Sequence, residues 1–464
     1  MVFSNLIFLY LFLPVCLIAY FFCPGIRAKN AVLILFSLIF YAWGEPVYLL
    51  LMIASAAVNW YFGLLIERRR KKIFLILALV LDLGCLAVFK YAGFFVENLN
   101  AVFGASIPVP QIALPIGISF YTFQALSYTV DVWRGDVPAQ RSFAKLLLYI
   151  SLFPQLIAGP IVRYSDVAAQ IDDRQFDASE AFYGATRFCV GLAKKVLLAD
   201  AAGKVASQIL DGSLASNTTV AAWLGILLYT FEIYFDFSGY SDMAIGMAKL
   251  FGFDFDANFD HPYLSASLTE FWRRWHISLG RWFRDYVYIP LGGSRVSTPK
   301  CIRNLLIVWI LTGLWHGASW TFVAWGLYHG ILLLLEKYPL KGILAKTPSP
   351  IRHILTLLAV IVGWVLFFSP DFSSAIFYLG RMFGAGSRAF WDSTAKYYFA
   401  ANWKLLVLGI LGCGPWIRTL YRHLVFSRRS PGLVLSALLL IGIFLLCVPY
   451  MTNATYQSFL YAQF

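Results

Sequence analysis

Residues 305–335 read LLIVWILTGLWHGASWTFVAWGLYHGILLLL and contain no Lys, Arg, Asp or Glu. This run is longer than the roughly 20 apolar residues that a helix needs to cross a bilayer. His316 lies inside it, in the motif Trp315-His316-Gly317. An ionisable side chain at membrane depth is costly and by default marks a functional site. Because imidazole can stay neutral and still accept a proton, His316 is predicted to act as a base.

The composition of the whole chain is that of an integral membrane protein. Hydrophobic residues make up 60% of the 464 residues, charged residues make up 13%, and the mean hydropathy is +0.71. The alternation expected of a β-barrel is missing, so the predicted fold class is all-α. At roughly 20 residues per crossing, we expect a polytopic bundle of about eleven spans. The clear apolar runs lie near 5–23, 31–43, 47–65, 73–89, 113–130, 219–235, 305–335, 351–369, 403–417 and 432–449.

The net charge of +13 does not indicate a nucleic-acid partner, because the basic residues form short clusters beside apolar runs. The clearest cluster is 68–72 (RRRKK), with smaller ones at Lys194-Lys195 and Arg428-Arg429. Such clusters set orientation by the positive-inside rule. They predict a multi-pass membrane protein with both termini extracytoplasmic. The seven cysteines include no CxxC pair, so neither a disulfide framework nor a zinc site is predicted.

The chain is predicted to be one membrane domain, 1–464, with its catalytic core at about 113–335. Helix breakers occur within this core at 114–117 (LPIG) and 153–160 (FPQLIAGP). Broken helices at membrane depth are tolerated where they are buried in protein or line a wet cavity. A Pro-kinked span is the alternative for each motif alone, and their proximity to polar motifs favours a cavity.

Acidic residues are concentrated between 232 and 260, where DFSGYSD (236–242) follows an aromatic run. One interpretation is a polar cavity wall that orients helices or substrate. The other, favoured by this pattern alone, is helix capping by Asp and Ser at a membrane surface. Asp256, Asp260 and His261 could supply metal ligands, but their spacing matches no metal motif, and no metal site is predicted.

Residues 268–290 (LTEFWRRWHISLGRWFRDYVYIP) predict one amphipathic helix in the headgroup plane, because aromatic residues recur at helical spacing opposite arginines. His276 lies at the edge of the apolar face of this helix. A single histidine in such a position more often has a structural role than a catalytic one.

A buried neutral imidazole such as His316 can take a proton from a hydroxyl as that hydroxyl attacks a carbonyl. No Ser or Cys lies in a nucleophile elbow, which favours direct acyl transfer to an alcohol over a Ser-His-Asp hydrolase. A proton relay in a transporter or flippase is an alternative from a different class. The absence of internal repeats and of charged pairs within the spans argues against it.

Five blocks of the sequence resemble the membrane-bound O-acyltransferases, and within them the branch that acetylates alginate. The blocks are FQALSYTVDVWRG (123–135), FPQLIAGPIVRY (153–164), DFSGYSDMAIGMAKLFGF (236–253), FWRRWHISLGRWFRDYVYIPLGG (271–293) and LTGLWHGASW (311–320). The resemblance implies a helical bundle around a central tunnel, with His316 as the active-site histidine and His276 as the second motif histidine.

The same resemblance implies a location in the bacterial cytoplasmic (inner) membrane, and it implies the substrates and partners. An activated acyl donor such as acetyl-CoA arrives from the cytoplasm as a substrate, and no tightly bound cofactor is expected. An extracytoplasmic acetyltransferase partner completes transfer to a polysaccharide. D-alanyl transfer to teichoic acids is the neighbouring alternative.

The end of the chain, FLYAQF (459–464), resembles an aromatic C-terminal motif of this bacterial branch, although Ala462 stands where relatives often have an aromatic residue. The resemblance implies that Tyr461 carries the acyl group in an extracytoplasmic tail, 450–464. The alternative is a tail that its aromatic residues anchor in the membrane interface.

Overall fold

The computed structural model describes residues 1–210, 218–387, 389–426, 429–453 and 459. The α-helices within these residues are α1 (Leu13–Phe22), α2 (Gly25–Ala42), α3 (Tyr48–Arg69), α4 (Lys72–Phe103), α5 (Ile118–Arg134), α6 (Phe143–Ser151), α7 (Phe153–Leu156), α8 (Tyr164–Asp172), α9 (Ala178–Ala193), α10 (Asp200–Leu210), α11 (Thr219–Leu250), α12 (Leu268–Arg274), α13 (Ile277–Phe283), α14 (Thr298–His316), α15 (Trp320–Lys337), α16 (Lys341–Lys346), α17 (Ser349–Phe368), α18 (Phe372–Met382), α19 (Ser393–Cys413), α20 (Trp416–Phe426) and α21 (Arg429–Asn453). Turns of π-helix occupy Phe8–Phe12, Lys194–Ala199 and Arg284–Tyr288. Apart from one isolated bridge, the regular structure of the described residues is helical, which confirms the all-α prediction.

Six helices of the described part are long and apolar enough to cross a membrane. They are Gly25–Ala42, Tyr48–Arg69, Lys72–Phe103, Thr219–Leu250, Ser349–Phe368 and Val434–Thr452. This makes the chain an integral membrane protein, but the predicted count of about eleven spans is not confirmed. Several apolar runs are divided into shorter helices. The run 305–335, for example, is broken after His316 into α14 and α15.

The contacts of the chain define two compact units. Unit 1 comprises Met1–Phe188 and Tyr240–Ala257, and unit 2 comprises Cys189–Gly239 and Asn258–Ala462.

In unit 1, the two breaker motifs come together. Gly117 begins α5 in the left-handed conformation, with φ of 77°. A Cβ at this position would lie 2.8 Å from the carbonyl oxygen of Leu156 in the second motif. Only glycine allows both the positive φ and this close approach. Residues 153–160 are buried throughout, so the broken backbone is enclosed by protein.

The acidic residues of α11 are not helix caps, and the capping interpretation is wrong for Asp236 and Asp242. The helix continues without a break through Thr219–Leu250, so both carboxylates lie well inside it. In unit 1, Asp242 pairs with Arg187 at 2.9 Å. The Asp242 carboxylate thus pairs with a half-buried cation instead of capping backbone N–H groups.

In unit 2, Lys195 is buried between two carboxylates. Its ammonium lies 2.6 Å from Asp236 and 2.7 Å from Asp200, and its side chain is only 4% exposed. Two expectations are therefore corrected. Lys195 does not mark a membrane surface, because two buried carboxylates compensate its charge. A candidate span also contributes to a charged pair, since Asp236, the partner of Lys195, lies within Thr219–Leu250.

The core of unit 2 is largely aromatic, and two glycines allow α14 and α15 to pack closely. A Cβ on Gly313 would lie 2.3 Å from the carbonyl oxygen of Phe322, and one on Gly326 would lie 2.2 Å from that of Trp309. Small residues at such crossings let helix backbones approach in membrane proteins. This crossing holds the histidine motif at the end of α14 against α15.

Candidate active site

His276 lies at a break between two helices, so the prediction of one continuous amphipathic helix over 268–290 is wrong. Helix α12 ends at Arg274, and His276 precedes α13 in the left-handed conformation, with φ of 45°. This conformation is uncommon for a residue with a side chain and occurs where the surrounding structure imposes it. Trp275 and Leu279, expected at a membrane surface, are buried inside unit 2.

Asn258 imposes this geometry. Its backbone carbonyl oxygen accepts the N–H of Ile277 at 3.0 Å. Its side-chain oxygen, Oδ1, accepts the N–H of Ser278 at 3.2 Å and the hydroxyl of Ser278 at 2.9 Å. The same oxygen lies 3.2 Å from Nδ1 of His276. Asn258 is fully buried, so these bonds are shielded from water.

The asparagine also determines the tautomer of His276. Oδ1 can only accept hydrogen bonds, so Nδ1 of His276 carries the proton and donates to it. The other ring nitrogen, Nε2, then has a lone pair that can accept a proton or a hydrogen bond. Burial lowers the pKa of His276 to about 3, because an imidazolium ion would lose its hydration. His276 is therefore held as a neutral imidazole with Nε2 as the acceptor.

His316 is the last residue of α14 and is 4% exposed. Four aromatic rings surround its imidazole, with centroid distances of 4.9 Å to Trp315, 5.0 Å to Trp325, 5.2 Å to Phe367 and 6.5 Å to Phe322. The glycine of the motif is required for this packing, since a Cβ on Gly317 would lie 2.3 Å from the Phe322 ring. The rings exclude water from the imidazole, which strengthens any electrostatic interaction made there.

Trp315 connects the two histidines. Its ring lies 4.9 Å from His316 and 5.9 Å from His276, so both imidazoles contact the same indole. Phe237 of α11 packs edge-on against His276 at 4.6 Å. The structure thus brings together two residues that are 40 positions apart in the sequence. On the far side of His316, Trp325 contacts both His316 and His329.

The chain is similar in sequence to known proteins. Residues 134–375, which include both histidines, match the membrane-bound O-acyltransferase family (MBOAT). The chain belongs to the membrane-bound O-acyltransferase family. It is accordingly an acyltransferase, and the alternative of a transporter or flippase is set aside.

Relatives of this membrane-bound O-acyltransferase cover most of its length. A probable alginate O-acetylase AlgI of Azotobacter vinelandii is 45% identical over 83% of this chain and 79% of its own. Another of the same name, from Pseudomonas putida, is 39% identical over the full length of both chains. A peptidoglycan O-acetyltransferase of Helicobacter pylori is 34% identical over 83% of this chain and 80% of its own.

Of the remaining candidate residues, those in the described part of the chain, His261 and Asp256, are not part of the histidine cluster. His261 lies in unit 2 with Nδ1 3.3 Å from the carbonyl oxygen of Cys413. Asp256, grouped with it as a possible metal ligand, belongs to unit 1. Tyr461, the predicted acyl carrier, lies outside the described residues.

Sequence reasoning missed Asn258 and the aromatic residues Phe322 and Phe367. Asn258 stands in a polar stretch, DANFDHP (256–262), where an asparagine is typical of a surface loop. No single-sequence pattern distinguishes it from such a loop residue. Phe367 lies in an ordinary apolar run, so its position beside His316 depends on how α17 packs.

The role of Asn258 can be tested by substitution. We expect Asn258→Leu to lower the acyl-transfer rate by about tenfold to 100-fold, because His276 loses the bond that holds its ring and tautomer. Ser278→Ala is the matched control, since it removes one hydroxyl but keeps the contact between Asn258 and His276. Ser278→Ala should lower the acyl-transfer rate much less than Asn258→Leu does. Equal losses in both variants at equal amounts of folded protein would contradict an orienting role for Asn258.

Proposed function

We propose that this enzyme transfers acetyl groups from a cytoplasmic thioester donor, such as acetyl-CoA, across the membrane for O-acetylation of an extracytoplasmic polysaccharide. The observation that supports this proposal is that two buried histidines contact the same indole ring, that of Trp315. One of them, His276, is held as a neutral hydrogen-bond acceptor. The acceptor is expected to be alginate or a similar polymer, because the relatives named above are alginate and peptidoglycan O-acetylases. An extracytoplasmic acetyltransferase would complete the transfer.

In the proposed reaction, His316 is the general base. The acceptor hydroxyl attacks the carbonyl carbon of the acyl donor while the imidazole of His316 takes its proton. The donor's thiolate leaves, and the proton passes from the imidazolium to it. His276, with Nε2 as an acceptor, orients the hydroxyl before attack. The dry aromatic surroundings of His316 favour acyl transfer over hydrolysis of the donor, because they exclude competing water.

The proposed first acceptor is the hydroxyl of Tyr461. Phe459, two residues earlier, is buried in unit 2, and the Lys195 ammonium lies 4.8 Å from its ring centroid. A cation over an aromatic face is an attractive contact. Phe459, two residues before Tyr461 in the sequence, is thus anchored on the unit that contains both histidines, which supports the carrier role. An acyl ester on Tyr461 would carry the acetyl group outward while the donor stays inside.

We also propose that the membrane domain encloses the reaction in a tunnel. The enzyme would act as one inner-membrane domain of about eleven crossings, some of them broken, around a central tunnel, with both termini extracytoplasmic. Teichoic acid D-alanyltransferases also match, but one from Bacillus subtilis is 27% identical over only 53% of this chain. The higher identity to alginate O-acetylases favours acetyl over D-alanyl.

Labelling tests the acyl carrier. Purified full-length enzyme incubated with isotope-labelled acetyl-CoA should yield a labelled peptide containing Tyr461. In Tyr461→Phe, we expect both this label and the acetylation of glycan in cells to fall to background, because the acyl-accepting oxygen is gone.

Tyr450→Phe is the matched control, since Tyr450 is exposed at the end of α21 and should tolerate the change. Glycan acetylation that persists in Tyr461→Phe would overturn the carrier role.

The mass added to each glycan residue separates acetyl transfer from D-alanyl transfer.

A further inference from the structure

A second reactive cluster lies at the opposite end of α14 from His316. The sulfur of Cys301 is 3.2 Å from the ammonium of Lys337 and 3.5 Å from the hydroxyl of Tyr288. Cys301 is in the first turn of α14 and Lys337 ends α15. Fifteen residues along α14 separate Cys301 from His316. At 1.5 Å per residue this is about 22 Å, so the cluster is separate from the histidine site.

The surroundings of Cys301 favour the thiolate, which is the nucleophilic form of cysteine. Hydrogen bonding by Tyr288 and by Lys337 lowers the pKa of Cys301 below its usual value. The N-terminus of α14 adds a favourable dipole. Cys301 itself is 4% exposed, whereas Lys337, whose ammonium contacts the sulfur, is exposed to solvent. The sulfur is therefore one side-chain contact away from solvent.

The same end of α14 and α15 is strongly basic. Arg295, Lys300 and Arg303 lie at or just before the start of α14, and Lys341 follows α15. None of these four forms an ion pair with a carboxylate of the described residues. Unpaired cations attract anionic ligands and raise their local concentration. The positive-inside rule assigns this end to the cytoplasm, where phosphate-bearing thioesters are found.

We propose that Cys301 and Lys337 form a self-acylation site that takes short-chain acyl thioesters. The thiolate of Cys301 attacks the thioester carbonyl, a new C–S bond forms, and the donor leaves as its own thiolate. Lys337, once it has lost a proton to water, attacks the acyl-Cys301 carbonyl through Nζ. The C–S bond breaks, the nitrogen gives its second proton to the donor's thiolate, the amide forms, and the thiolate of Cys301 is regenerated. The net products are acyl-Lys337, the free donor thiol and one proton released to water, and no atom changes its oxidation state.

Acylation of Lys337 would remove one positive charge from the basic surface, which weakens its attraction for an anionic donor. The inference rests on the proposed function only in assuming a thioester donor, and it needs neither His316 nor a polysaccharide. The two proposals can therefore fail separately.

The test uses purified full-length protein with isotope-labelled acetyl-CoA at mildly alkaline pH, followed by peptide mass spectrometry over time. We expect Lys337 to be acetylated at least about tenfold faster than Lys341 of the same surface, because only Lys337 has a neighbouring thiolate. Cys301→Ser should reduce acetylation of Lys337 to the rate of Lys341. In Lys337→Arg, which keeps the positive charge, the label should remain on Cys301 as a hydroxylamine-sensitive thioester.

The inference is overturned if Lys337 and Lys341 react equally fast, if Cys301→Ser leaves Lys337 unaffected, or if Lys337→Arg accumulates no thioester. In the His316→Ala variant, Lys337 should be acetylated at the same rate as in the parent protein. Loss of polysaccharide acetylation in that variant, with Lys337 still modified, separates the outcome of this proposal from that of the general base.

Discussion

His316→Ala is expected to lower acetyl transfer to polysaccharide by roughly 100- to 10,000-fold, the range that a positioned general base contributes. The physical reason is that no other group in the ring of aromatic side chains around His316 can take the proton of the attacking hydroxyl. Phe322, Trp325 and Phe367 present carbon surfaces or an N–H donor to this space. The measurement is the acetyl content of polysaccharide from cells that carry the variant, normalised to enzyme in the membrane fraction.

A matched histidine variant controls for loss of an imidazole in general. His353 lies on α17, outside the aromatic cluster, and its Nδ1 bonds the carbonyl oxygen of Ser265 at 3.1 Å. His353→Ala should retain most activity. Should His316→Ala stay within a few-fold of the parent enzyme, the base would have to be another residue. His276, whose Nε2 is held as an acceptor, would then be the next candidate.

Removing one partner of the buried Lys195–Asp236 pair is expected to destabilise the protein by about 3–5 kcal/mol. Lys195→Leu leaves the Asp236 carboxylate charged in a site that is 3% exposed, and Asp236→Leu leaves the ammonium with only Asp200. The cost arises because a buried charge that loses its partner keeps its desolvation penalty. We expect a lower unfolding temperature in detergent and less enzyme in the membrane fraction.

The double variant provides the decisive comparison. Lys195→Leu with Asp236→Leu leaves Asp200 as the one remaining charge of this group, so the double variant should be more stable than Lys195→Leu, which leaves two carboxylates without their cation. Lys145 and Asp172 form an exposed pair, with side chains 36% and 52% exposed, and Lys145→Leu should cost no more than about 1 kcal/mol. A double variant that is less stable than both single variants would contradict the electrostatic explanation.

The histidine motif shows how far sequence reasoning reaches. His316 could be identified because an ionisable residue in a long apolar run has few explanations other than function. The blocks around it then pointed to acyl transfer. The break after His316 was not predicted, because the run 305–335 is apolar throughout and hydropathy carries no signal for where a helix stops. At the break, Gly317 is extended and ends α14, and the Ser319 hydroxyl accepts the N–H of Thr321 to cap the start of α15.

His276 illustrates the opposite case. The spacing of aromatic residues over 268–290 is helical, and α12 and α13 are indeed helical on either side. The left-handed conformation at His276 depends on Asn258, which is 18 residues earlier in the sequence. A tertiary contact therefore overrides a local pattern. The same holds for Lys195, whose basic cluster was predicted to mark a membrane surface, because its partner Asp236 comes from a separate helix, α11.

The sequence by itself determined that this is a helical membrane protein, that it resembles the acyltransferases, and that His316 and His276 are its candidate histidines. These conclusions rest on hydropathy and on motifs, which are local properties of the chain. Only the tertiary structure decided that both imidazoles share Trp315, that His276 is a neutral acceptor, and that Lys195 is neutralised by Asp236 and Asp200. Proton location and charge compensation depend on atoms within about 3 Å of each other, and folding alone brings such atoms together from distant parts of the chain.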